Sequence, residues 1–103
     1  MIVDRTEINA GQMKLGSSAS FNVVIRNDYP EKVKITAVNK SCTCTVATLE
    51  GPSELHKGEA SLVRVTITPG STGAFSRQVI VHFERIGVGV FQDNITLKAM
   101  VTA

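Results

Sequence analysis

The chain has 103 residues, 43% of them hydrophobic, which suits one compact domain and leaves little room for a second. Only 5% are aromatic and there is no Trp, so the core must come mainly from Val, Ile and Leu, a bias that favours strands. Eleven basic against nine acidic residues leave +2 without a concentrated stripe, which argues against a nucleic-acid binder, and no apolar run is long enough for a secretory leader or a membrane span.

From the N-terminus, Ile2-Val3-Asp4 and Thr6-Glu7-Ile8 read as edge-strand segments, and Gly11 and Gly16 bracket Met13 and Leu15 in a loop crossing between sheets. Residues 20–26 alternate, putting Phe21, Val23 and Ile25 on one face. Asn27-Asp28-Tyr29-Pro30-Glu31 is a turn, because Asn and Asp hydrogen-bond their own backbone and Pro fixes φ. Val33 and Ile35 then face inward, with an irregularity near Ala37 before Val38 returns to the core. Lys32, Lys34 and Lys40 read as the solvated face of that strand.

Next come both cysteines of the chain, in Ser41-Cys42-Thr43-Cys44-Thr45. Residues two apart in an extended segment share a face. Three uses are open: a packed pair of thiols, a local disulfide, or two soft metal ligands. A rise of about 3.3 Å per residue sets the two Cα atoms about 6.6 Å apart, at the long edge of what a disulfide spans. Zinc takes four ligands, and His56 and His82 complete the set by count, but their spacing matches no compact zinc module. The reading adopted is that Cys42 and Cys44 are reduced, unmetallated and partly buried, with Cys42, Cys44, His56 and His82 as the metal alternative and no cofactor.

Gly51-Pro52-Ser53 and Lys57-Gly58-Glu59 mark two further turns. Residues 62–68 form the cleanest strand, with Val63, Val65 and Ile67 inward. Pro69 to Gly73 stops it, and residues 75–84 alternate again, with Val79, Val81 and Phe83 on one side and Gln78, Ile80 and His82 on the other. Gly87 and Gly89 flank a hairpin or loop, and the last strand, roughly residues 94–102, presents Ile95, Leu97, Ala99 and Val101. Short strands at this spacing predict one all-β domain over residues 1–103, an immunoglobulin-like two-sheet sandwich of about seven to eight strands.

The Asn27 turn, the alternating strand through Val33 and Ile35, the run Ser41-Cys42-x-Cys44-Thr45, the Gly58-Glu59 turn and the strand of Val63, Val65 and Ile67 resemble one bacterial family. It is a family of unknown function with the signature Ser-Cys-Gly-Cys-Thr, related to Hydin-type (ASH) and major-sperm-protein-like immunoglobulin folds. The resemblance continues through Gly73, Phe75, Val79 and Val81. Thr43 stands where the signature has glycine, which disfavours φ > 0 between the cysteines. Family members are commonly exported, whereas this sequence shows no signal. The resemblance therefore suits a protein made in the cytoplasm and built into an assembly such as a phage particle.

No nucleophile, base and orienting group are set together, and no phosphate-cradling glycine loop exists. The expected function is a non-catalytic structural or interaction module, with a metal- or redox-linked binding domain as the alternative. The expected partners are proteins or further copies of the chain, without nucleic acid or membrane. Sandwiches of this kind meet partners through edge strands and end loops. The candidate contact segments are residues 39–49, 69–75 and 86–91. Val90 and Phe91 lead, because 86–91 carries four apolar side chains around two glycines, followed by Phe75 and Thr72 in the opposing loop.

Overall fold

A computed structural model describes residues 2–40 and 44–103, the first of these for its backbone only. Alternation of β-branched residues drives the chain into strands throughout. Nine form among the described residues: β1 (Ile2–Val3), β2 (Glu7–Lys14), β3 (Ala19–Arg26), β4 (Val33–Lys40), β5 (Thr45–Leu49), β6 (Glu54–Leu55), β7 (Ala60–Ile67), β8 (Gly73–Arg85) and β9 (Gly89–Thr102). They build two sheets, β1-β3-β7-β5 and β2-β9-β8-β4-β6, so the immunoglobulin-like two-sheet sandwich is what forms. The strand count exceeds seven or eight because β1 and β6 are two-residue edge pieces.

The core lies between the sheets. Val23, Ile25, Val63, Val65 and Ile67 from one meet Val79, Val81, Ile95 and Leu97 from the other, all fully buried. Phe21, expected inside, is half-buried and packs against the edge of this cluster. Phe83 is buried but belongs to a separate aromatic group at one end of the sandwich. Asn27 pins that end. Its side chain is fully buried, its Nδ2 donates to the carbonyls of Glu31 and Leu55 at 2.9 Å each, and its Oδ1 accepts the Tyr29 N–H.

Two expectations need correction. The crossing loop expected at residues 11–16 starts only after Lys14, where the chain passes from β2 to β3 of the other sheet, while Gly11 and Met13 lie within β2, which runs parallel to β9. An earlier crossing, from β1 to β2, lies at residues 4–6, where Asp4 bonds Val24 through both its N–H and its carboxylate while the Thr6 carbonyl accepts from Thr96. A register shift between Asn9 and Gln12 bulges β2, and Gly11 takes the positive φ of 70° found there. The last strand begins at Gly89, because the hairpin turn needs only residues 86–88. The irregularity expected near Ala37 is present as a register shift between Ile35 and Ala37 on β8.

Candidate functional site

The end of the sandwich closed by the β8–β9 hairpin is an aromatic and cationic cluster with an apolar rim. Phe83 and Phe91 are cross-strand partners, their rings stacked at 6.0 Å, and Tyr29 also stacks with Phe83 at 6.2 Å. The Arg85 guanidinium lies 3.9 Å over the Tyr29 ring and 5.3 Å from that of Phe91, and pairs with the Glu31 carboxylate. The Ile86 N–H donates to the Lys32 carbonyl, which ties the turn to the loop before β4. On this braced base the turn exposes its apolar side chains: Ile86 is 45% exposed, Val88 56%, Val90 72% and Phe91 40%. Val90 points to the outer face, paired with Glu84, while Phe91 shows one ring face and packs the other.

The other expected contacts divide. Thr72 is exposed in the loop before β8. Phe75 is not available to a partner: it is 7% exposed, because β8 already runs from Gly73 and its register turns Phe75 inward opposite Ala99.

At Cys44 the expected partial burial holds and the expected free thiol does not. Cys44 is half-buried and disulfide-bonded, not a thiol. Cys42, the only other cysteine of the sequence, lies outside the described residues. Of the four-ligand alternative, Cys44 as a disulfide sulfur has no thiolate to offer. His56 is exposed in the loop after β6, and His82 faces outward in the middle of β8, paired with Gln92. Among the described residues no three His, Cys, Asp or Glu side chains converge on a point that would hold a metal ion.

A second surface includes the end of the expected contact segment 39–49, while its β4 side was not foreseen. Between the edges of β4 and β5 runs an open groove of about 320 Å³, floored by Ile35, Ala37, Val38, Ala47 and Leu49. It exists because cover on that side of β4 stops at Ile35, whose N–H bonds the Ser53 carbonyl just before β6, so the rest of that edge has no strand neighbour among the described residues. The available signal was the mismatch between a long alternating run at 33–40 and the Pro52 that interrupts its prospective neighbour.

This sandwich, with its first segment shared between both sheets and no helix among the described residues, has the architecture of several solved domains. The Vibrio cholerae VesB protease matches with a TM-score of 0.82 at 17% identity, covering 96% of this chain and 31% of that one. A protein of unknown function from Porphyromonas gingivalis W83 matches at 0.77 and 17%, covering 96% and 46%. The ASH / PapD-like domain of human CEP192 (PapD-like domain 7) matches at 0.75 and 12%, covering 98% and 84%. At these identities the likeness concerns fold alone, a two-sheet immunoglobulin-like β-sandwich. The chain belongs to the family described as protein of unknown function (DUF1573), which it matches over residues 1–100. No curated protein matches it. The chain spans less than half the length of the first two solved structures it resembles.

Proposed function

We propose that this domain is a non-catalytic protein-interaction module, one that holds a neighbour in a larger assembly through the tip of the β8–β9 hairpin. The observation that supports the reading is the exposed apolar rim of Ile86, Val88, Val90 and Phe91 on a base braced by Arg85, Tyr29 and Phe83. Contact strength concentrates in a few aromatic, arginine and apolar anchors. A tip whose base is already ordered loses little freedom when it docks. An accessory or cement-type component of a phage particle is the most concrete setting for such a module.

The disulfide at Cys44 favours a second setting, outside the reducing cytosol, since cytosolic thiols are kept reduced. A thiol reagent applied to protein isolated from its native source without reductant separates the two. No reaction before reduction supports the oxidised setting, and prompt reaction in denaturant supports the cytoplasmic one.

The module itself is tested with Val88→Ser and Val90→Ser together, a pair that leaves the Phe83–Phe91 stack in place. The double variant should unfold as cooperatively as the wild type yet lose its partner or its self-association, read by light scattering and co-purification. A wild type that is monomeric, recruits nothing and turns over a substrate would overturn the reading.

A further inference from the structure

Resting on the interaction-module reading, we propose that the uncovered edge of β4 at residues 36–40 accepts an extended segment of a partner protein as an added strand. That segment is apolar at alternate positions and acidic near its ends. The argument starts from the backbone. A strand edge without a neighbour presents a row of N–H and C=O groups that another extended chain can satisfy. On β4 that row begins where the cover from the described residues stops: their last backbone bond from that side runs from the Ile35 N–H to the Ser53 carbonyl. The next residue, Pro52, has no N–H, and the chain then leaves for the other sheet, where the Glu50 N–H bonds the Leu62 carbonyl.

The chain shows on this same edge what a strand there does. β6 pairs antiparallel with β4 over two residues, and its Leu55 becomes fully buried in the common core. A partner strand set further along would direct every second side chain into the groove, whose floor of Ile35, Val38, Ala47 and Leu49 is apolar. Successive inward side chains lie about 7 Å apart, so an opening of about 320 Å³ takes one or two of valine or leucine size.

Charge decides between a foreign segment and a second copy. Lys34 and Lys40 flank the open stretch, both exposed and neither in an ion pair among the described residues, while nearby Lys32 is paired with Glu54 at 3.3 Å. Two copies meeting on this edge would bring four lysines together, which disfavours self-pairing. A carboxylate on the incoming strand meets the same lysines favourably.

The test pans a displayed library of random peptides, about ten residues long, against the whole domain, then titrates the enriched peptide into isotope-labelled protein. Enriched sequences should alternate apolar residues and carry Asp or Glu, and amide shifts should move at residues 36–40 and 47–49. N-methylation of alternate peptide nitrogens along the paired edge should weaken binding at least tenfold. Lys34→Glu with Lys40→Glu should weaken the acidic peptide and restore binding of its lysine-substituted counterpart. No enrichment, equal binding of the N-methylated peptide, or shifts confined to residues 86–91 would each overturn the strand-addition proposal. The last of these would leave the hairpin-tip reading standing, and loss of partner in the Val88/Val90 double variant tests that reading separately.

Discussion

Asn27 shows how one side chain holds an end of the sandwich. Its amide reaches the carbonyls of Glu31 and Leu55, its oxygen receives Tyr29 N–H, and its backbone bonds Glu59 and Gly58. Asn27→Ala leaves buried backbone groups without partners and should cost about 1–3 kcal/mol, read as a lower urea midpoint at unchanged slope. Asp93 is the opposite case. It lies on the inward face of β9 opposite Val81, and its Oδ2 is buried without a hydrogen-bond partner. Burial, the largest influence on it, raises its carboxyl above the ordinary 3.8. The folded state therefore holds this proton more tightly than the unfolded chain. The contribution to stability is complete below the unfolded pKa and is lost as pH rises through the folded one. Asp93→Asn should exceed the wild type in stability at neutral pH, with the gap opening through the acid range and then staying level. A gap that is independent of pH would show that the carboxylate carries no penalty.

At the scale of elements, β7 is the inner strand between β3 and β5, and its alternation was legible from Val63, Val65 and Ile67 alone. Val65→Ala should destabilise by about 1–3 kcal/mol through lost burial and a residual cavity. The start of β2 was read as an edge strand, but its part from Gly11 on was read as a loop because two glycines suggest one. Only the parallel partner β9 makes Glu7–Lys14 a strand, and the bulge accommodates Gly11 at φ 70°. A Cβ added at Gly11 meets nothing within 4 Å, so Gly11→Ala tests conformation without a clash. It should cost about 1–2 kcal/mol, the penalty of a left-handed backbone for an L-residue, measured by thermal or urea unfolding.

For the whole molecule, the parallel β2–β9 pair joins opposite ends of the sequence and covers one edge of the five-stranded sheet. Removing residues 1–14 would strip Ile8 and Met13 from the core and leave the fourteen-residue β9 as an open edge. The truncated chain should be less stable and should self-associate at concentrations where the full chain does not, a difference light scattering reads directly. Equal stability and equal size would mean that the N-terminal strand is dispensable. An all-β topology with such long-range pairing should also fold in milliseconds to seconds, as stopped-flow fluorescence of Tyr29 can check.

Alternation by itself determined the sandwich, most of its core and the bulge near Ala37, because a period of two dedicates side chains to one face wherever the strands come to lie. The apolar content of residues 86–91 was likewise visible, and the fold keeps four of those side chains exposed. Tertiary structure alone decided what depends on register and neighbours. Phe75 is core because β8 starts two residues earlier than the loop reading allowed, and Asp93 faces inward because it alternates with Phe91 and Ile95. The β4 edge is open because Pro52 halts β6 and the chain departs to the other sheet, and no local pattern says which strand will lie alongside. Local sequence sets which way a side chain points, and only the assembled sheets set what it meets there.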